Sequence, residues 1–305
     1  MKGERALFEP VTACPACAGN RIRPSRRGTY FEPLTQEQIK ITDSRYGKTW
    51  ALSICLDCGH LFADPCPSPE LITALYSRVE DPDYEGEAAG RTQNFASILS
   101  RLIRRLPQKG RLFDVGAATG ILLDLARRRG FEPDGIELSR WAVQVAAEKY
   151  RLQVRQGAFE SAALDNEHYA AVTMIDFIEH TPTPFPAVKK AGEILEPGGI
   201  LALVTPDIHS LAARLAGRRW WHLRPAHLAF FSRDSLAALL GRAGFSIVEE
   251  RWYSWTFSLH YLLSRKSASA GLLRIPALAS FLKRIRLKLA LRDSFEIYAR
   301  KRGRV

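Results

Sequence analysis

Between Arg111 and Phe245 the chain alternates apolar, strand-like runs with runs of helical period, and this constrains the fold more than any other feature. "RLFDVG" reads as a strand, 120–129 as a helix, "FEPDGIEL" as a second strand, and "SRWAVQVAAEKY" as a helix capped by Ser139. A short strand in "LQVRQG" precedes the apolar strand "YAAVTMID", a helix over 184–195 and the strand "GGILALVTPD". A helix over 232–245, closed by Gly244, then leads into a strand in "FSIVEERWYSW". Strands that take turns with helices pair in parallel, with the helices covering both faces of the sheet. The expectation is a doubly wound α/β domain whose ligand sits beyond the carboxyl ends of the strands. Upstream, Ser68-Pro69 starts a helix, 81–90 reads as a polar linker or mobile loop, and 94–106 has a helical period.

The first strand of the series runs into "LFDVGAATGILLDL", Leu112 to Leu125. A dinucleotide-binding turn would read G-x-G-x-x-G. Here Ala118 stands where the second glycine belongs and Ile121 where the third belongs. The spacing is instead D-x-G-x-x-x-G, from Asp114 through Gly116 to Gly120. Gly116 permits a sharp turn out of the strand, and Gly120 lets backbone approach a ligand. Asp114 beside that turn favours a positive group over a phosphate. Glu137, 23 residues further on at the end of the next strand, suits two ribose hydroxyls. Alone, Asp114 reads as a turn cap and Glu137 as an exposed acid; together they point to a compact cationic ligand.

Four of the five cysteines form two C-x-x-C pairs, Cys14 with Cys17 and Cys55 with Cys58. Two residues between cysteines make a knuckle that turns both thiolates toward one metal, so the pairs read as a closed, structural four-cysteine zinc site. The loop between the pairs, 18–54, is long, but closure entropy grows slowly with length. Disulfides are the alternative, disfavoured in a cytosolic chain. Cys66 is spare.

"MKGERALFEP" has no apolar signal core, and no run reaches the ~18 apolar residues of a membrane span, so the cytosol is the expected compartment. The net charge of +12 is uneven: residues 251–305 hold thirteen Lys/Arg against two acids, Asp293 and Glu296. A tail this basic suits an anionic partner (membrane, nucleic acid or phosphorylated substrate) or is a solvated basic edge. Leu278, Phe281, Leu282, Ile285 and Leu289 recur at helical spacing among Lys283, Arg284 and Lys288, whereas Leu287, Leu289 and Leu291 alternate like a strand. The segment 272–292 reads as a peripheral contact with the inner membrane face, or as a lid packed on the domain.

The pieces "LFDVGAATG", "GIELS", "AVTMIDFIEH" and "ILEPGGILALVTPD" together resemble the class I S-adenosylmethionine-dependent methyltransferases. The resemblance implies a Rossmann-like sheet closed by an antiparallel last strand, "SFEIYAR", with 256–292 inserted before it. It implies S-adenosylmethionine as cofactor. Asp114, Gly116 and Gly120 would hold its methionine part and the turn, Glu137 its ribose, and Gly157, Ala158 and Phe159 its adenine. Asp176 and Phe177 would line the methionine side. Ala118 replaces a further family glycine and narrows the pocket; Ala158 replaces an acid that often binds the adenine amino group.

With the four-cysteine segment and "RWWHLRPAHLAFFSRDSLAALLGRAGF", the chain is similar to zinc-ribbon methyltransferases of bacterial sugar, polysaccharide and natural-product pathways. It departs from them at Ala226, where Glu often precedes the histidine, and lacks the extra C-terminal domain of the larger sugar C-methyltransferases. The implied plan is a zinc-ribbon module over 1–70, a helical linker or lid over 71–108, and the methyltransferase domain over 109–305. The expected acceptor is a small biosynthetic intermediate: a sugar, nucleotide-sugar, lipid-linked or natural-product molecule.

Methyl transfer from a sulfonium is an in-line displacement in which the protein aligns donor and acceptor. A base is needed only where the acceptor must lose a proton, and His227 is the first candidate, ahead of His222 and His180. His227 reads equally as a residue that holds its loop, and Trp220-Trp221 as a substrate wall or as packing. Two other functions compete. One is RNA methylation, disfavoured because residues 1–70 are not strongly basic and no aromatic–basic platform stands out. The other is a non-catalytic cofactor-binding scaffold whose zinc module contacts protein.

Overall fold

Strand Tyr169–Ile175 is buried at six of its seven positions, because it lies mid-sheet with helices on both faces. The computed structural model of the protein describes residues 7–30, 33–265 and 273–303. In chain order the N-terminal part holds β1 (Phe8–Glu9), β2 (Ile22–Arg26), α1 (Gln36–Ile39), β3 (Leu52–Cys55), β4 (Leu61–Ala63) and β5 (Cys66–Pro67). Three helices follow, α2 (Pro69–Tyr76), α3 (Pro82–Gly86) and α4 (Ala88–Ile103). Next come β6 (Arg111–Val115), α5 (Ile121–Arg128), β7 (Glu132–Glu137), α6 (Arg140–Tyr150), β8 (Arg155–Gln156), β9 (Tyr169–Ile175), α7 (Pro184–Ile194) and β10 (Leu195–Pro206). The C-terminal part holds α8 (Leu211–Ala216), β11 (Ala229–Phe230), α9 (Arg233–Arg242), β12 (Phe245–Trp252), β13 (Trp255–Ser258), α10 (Leu259–Ser264), α11 (Pro276–Arg284), β14 (Arg286–Leu289) and β15 (Ser294–Lys301).

Seven strands form one sheet in the order β12-β15-β10-β9-β6-β7-β8. β10, β9, β6, β7 and β8 are mutually parallel, and β15 runs antiparallel to both β10 and β12. The Rossmann-like sheet with an antiparallel last strand is as expected. Its start signals also hold. Ser68 accepts from Leu71 N–H with Pro69 in the first turn, Ser139 from Ala142 N–H, and Ser232 from Ser235 N–H.

The stretch 81–90 is not a loop. Asp81 caps α3 by accepting from Tyr84 N–H, Pro82 opens its first turn, and α4 starts at Ala88. Asp81 also accepts from Thr42 Oγ1 at 2.5 Å, a tie across 39 residues that no local pattern reveals.

The N-terminal module does not stand apart. β2, β3 and β4 form an antiparallel sheet that β11 completes, with Ala229 opposite Phe62 and Phe230 opposite Leu61. Cys14, Ala16, Cys55 and Phe62 share one apolar core with Val115, Phe231 and Leu239. The boundary near residue 70 is therefore a boundary of sequence, bridged in space by a strand 160 residues downstream. The segment between β12 and β15 carries β13, α10, α11 and β14. Both of its patterns are realised, helix over 276–284 and strand over 286–289.

Candidate active site

β6 ends at Val115, and the chain reverses within five residues, three of them left-handed: Gly116 at φ +71, Ala118 at +46 and Gly120 at +82. A side chain at Gly116 would lie 3.1 Å from the Phe177 ring. At Gly120 it would lie 2.9 Å from Leu152 Cδ1 and 3.1 Å from Ala146 Cβ. Gly120 thus serves close packing of α5 on α6, not approach of a ligand. Ala118 holds a conformation that costs an L-residue about 1 kcal/mol, and its N–H donates to Glu137 Oε2 at 2.8 Å. Ser139 N–H donates to Glu137 Oε1 at 2.8 Å. Burial holds the Glu137 carboxyl above the usual carboxylate range, and these backbone donors offset that only in part.

A cavity of about 780 Å³ opens beyond the carboxyl ends of β6, β7 and β9. Gly116, Ala118, Glu137, Gly157, Ala158, Phe159, Asp176 and Phe177 line it, eight of the ten residues assigned to the cofactor from sequence. Asp114 and Gly120 do not. Asp114 is buried and accepts from Thr173 Oγ1 at 2.5 Å, tying the base of the turn to β9, and burial pushes its pKa up to about 7. The opposite wall comes from the helices before the sheet, through Ile72, Tyr76, Val79, Asp81 and Tyr84. Five carboxylates line the cavity: Glu70, Asp81, Glu137, Glu160 and Asp176. Among the described residues no Lys or Arg does. Burial raises Asp176 to about 7, while Arg91 and Arg224 pull it down from behind.

The three candidate histidines cluster. His180 and His227 rings are 4.7 Å apart and perpendicular; His227 and His222 are 5.7 Å apart and stacked. Of the three, only His180 lines the cavity. Its Nδ1 lies 2.9 Å from Tyr76 Oη and 3.0 Å from the Ala226 carbonyl oxygen. A carbonyl only accepts, so that contact places the proton on Nδ1 and leaves Nε2 with its lone pair. Burial pushes the His180 pKa down to about 3. His227 departs from the expectation of a substrate-facing base: it is 3% exposed and accepts from Arg224 Nε at 3.2 Å. His222 sits behind it, 3.3 Å from Asp293 Oδ2. Glu179, His180 and His227 each bring a ligand-type atom within 4.8 Å of the others, but Arg224 already sets a positive charge against them. Trp220 is buried packing, and Trp221 Nε1 donates to Asp293.

Tyr76, Glu179 and Arg224 were not singled out from sequence. Tyr76 could have been, since it lies one turn after Ile72 on the face that α2 turns inward. Arg224 gives no such signal, because besides His227 its partners are the carbonyls of Ile41 and Asp43 far upstream.

The four cysteine sulfurs lie within 4.8 Å of one another, with Cys14–Cys58 at 3.7 Å and Cys17–Cys55 at 3.6 Å. A tetrahedron with metal–sulfur bonds of about 2.3 Å has edges of about 3.8 Å. These gaps match it and exceed the ~2.05 Å of a disulfide. N–H groups of Gly19 and Asp57 point at Cys17 and Cys55 sulfurs, as in a metal knuckle.

A seven-stranded sheet in this order, with a left-handed turn after its central strand and a carboxylate at the tip of the next, defines the class I S-adenosylmethionine-dependent methyltransferases. Comparison with known proteins agrees. A family described as "Methyltransferase domain" matches residues 88–250, and the chain belongs to it. A ubiquinone biosynthesis O-methyltransferase of Cereibacter sphaeroides is 29% identical over 187 residues, covering 55% of this chain and 76% of that one. The enzyme of that name in Albidiferax ferrireducens is 27% identical over 217 residues, covering 63% and 86%. A solved S-adenosylmethionine-dependent methyltransferase of Archaeoglobus fulgidus superposes with a TM-score of 0.51 at 19% identity, covering 72% of this chain and all of that one. The protein is a class I S-adenosylmethionine-dependent methyltransferase. No helix among the described residues is long and apolar enough to cross a membrane.

Proposed function

We propose that the enzyme methylates a hydroxyl of a small, uncharged, amphiphilic biosynthetic intermediate. The observation that carries this is the cavity lining: five carboxylates, no Lys or Arg among the described residues, and apolar walls from Ile39, Ile72, Val79 and Phe177. A cationic sulfonium is at home there, whereas the diphosphate of a nucleotide-sugar, or an RNA backbone, has no cation to meet it. The named activity of the O-methyltransferases above fits an acceptor of this kind.

In this reading Glu137, its carboxylate pre-set by Ala118 and Ser139 N–H, would hold the ribose hydroxyls. Gly157, Ala158 and Phe159 would hold the adenine, and Asp176 and Phe177 the methionine part. When bound, S-adenosylmethionine would supply a methyl group on a cationic sulfur, open to in-line displacement by the acceptor oxygen, with the electron pair of the broken carbon–sulfur bond left on sulfur. His180 Nε2, neutral because burial disfavours its charged form, accepts a hydrogen bond from the acceptor hydroxyl and orients it, while Tyr76 and Ala226 hold the ring from the other side and the hydroxyl proton is released to water. His227 and Arg224 position that loop. The four-cysteine cluster binds a structural zinc, with all four ligand positions filled by protein.

Labelled-methyl assays against hydroxylated aromatic amphiphiles, nucleotide-sugars and RNA test the acceptor class; turnover confined to nucleotide-sugars or RNA overturns it. His180→Ala is expected to lower kcat by about 10²-fold or more with cofactor affinity unchanged, and His227→Ala to lower it less. The reverse ranking would give the orienting role to His227.

A further inference from the structure

The insertion between β12 and β15 carries a surface that methyl transfer does not use. β12 runs parallel to β10, since both pair antiparallel with β15. Trp252 pairs with Phe295 and Pro206 with Ser294, so the insertion leaves and rejoins the sheet at the rim that holds the cavity. It is anchored there. Glu87 accepts from Ser258 N–H and Oγ at 2.9 and 2.5 Å, Asn94 and Thr256 exchange two hydrogen bonds, and Arg265 reaches the Thr42 carbonyl.

Beyond this anchor α11 and β14 stand out from the body. Leu282 is the one buried residue of α11, and β14 pairs with β13 alone among the described residues. Arg274, Lys283, Arg284, Arg286, Lys288 and Arg292 are exposed, and none makes an ion pair among the described residues. No acid occurs between Glu250 and Asp293. Large apolar side chains are interleaved with these cations: Ile275 is 52% exposed, Phe281 60%, Leu287 40% and Leu291 45%. Lys266 of the basic tail, and residue 272 of the segment assigned to membrane contact, lie outside the described residues.

A nucleic acid would engage the cations and leave these aliphatic and aromatic groups in water. A bilayer surface with anionic headgroups takes both at once, charge at the headgroups and apolar tips at the acyl boundary. We infer that this insertion docks the enzyme on an anionic bilayer, with α11 and β14 as the contact surface and the cavity rim beside it. That goes beyond the methyl-transfer reading, on which it does not depend.

The test is flotation of the full-length protein with phosphatidylcholine vesicles, with and without phosphatidylglycerol, at moderate salt and without cofactor or acceptor. The protein is expected to float with the anionic vesicles only. Replacing Lys283, Arg284 and Arg286 together by Gln is expected to weaken partitioning by about a hundredfold, and Phe281→Ser with Leu287→Ser by about tenfold or more. Neither set touches the cavity, so cofactor affinity by calorimetry reports whether each variant is folded. Phe281→Ser alone serves as a milder variant if the triple change misfolds. No flotation of the unaltered protein overturns the inference. So does flotation unmoved by the apolar changes, or RNA binding that exceeds vesicle binding. Because no methyl transfer is read, failure here leaves the acceptor reading as it stood.

Discussion

Two regions on one rim of the sheet carry opposite charge. The cavity is lined by five carboxylates and, among the described residues, no Lys or Arg. The insertion beside it has seven described Lys/Arg between Arg265 and Arg292 and no acid. They differ as much in burial. Glu137 and Asp176 belong to a walled cavity, where charge acts at low effective dielectric on one small cation. Most of the insertion's cations stand in water, where salt screens them beyond about 10 Å and only a broad anionic surface engages many together. The contrast teaches that burial sets ligand size here and sign sets ligand charge.

The largest effect is expected from a change that damages both regions' common support. Structural zinc sites contribute on the order of 10 kcal/mol of apparent folding energy. Cys55→Ser, or a strong chelator, is therefore expected to unfold the β2–β3–β4 sheet and, through β11, the loop that bears His227. Calorimetric melting with and without chelator measures this, and an unmoved transition speaks against a bound metal. Next in size is Glu137→Ala. Loss of two charge-assisted hydrogen bonds is expected to weaken S-adenosylmethionine by about a hundredfold or more, with flotation unchanged. A parallel loss of flotation would end the separation drawn above.

The smallest effect is graded with pH. Burial holds the Asp176 carboxyl at about 7, so it is ionised above that pH and takes up a proton as pH falls through it. Affinity for the cationic cofactor is then expected to fall by at most about tenfold per pH unit below 7, and affinity for the neutral thioether product to fall less. Calorimetric titration across pH 5–8 checks it, with Asp176→Asn flattening the slope. A slope that survives in Asp176→Asn belongs to Asp114, also held at about 7, or to Glu137, which burial raises as well.

Much of the sheet was legible because its strands are covered on both faces and read as unbroken apolar runs. Tyr169–Ile175 and the Ile200–Val204 part of β10 are the plainest cases. β11 was not legible, being two residues long and defined only by its register against Leu61 and Phe62. The rear wall of the cavity escaped for a related reason: Tyr76, Asp81 and Tyr84 sit on short helices whose placement depends on distant contacts such as Thr42 to Asp81. Eight of the positions assigned to the cofactor line one cavity, because turn chemistry is local. Asp114 and Gly120 do not, since whether a residue faces a ligand or a neighbouring helix depends on packing that spacing alone does not encode.

Strand β11 has a consequence for traffic through the enzyme. Ala229 and Phe230 are stitched to β4, and Leu228 and Ala229 N–H groups donate to the Glu179 carbonyl. The segment behind His180 is therefore held from two directions and makes a poor hinge. Any opening of the cavity is then expected on the far side, where Ser77, Val79 and Tyr84 come from short helices and the turns between them.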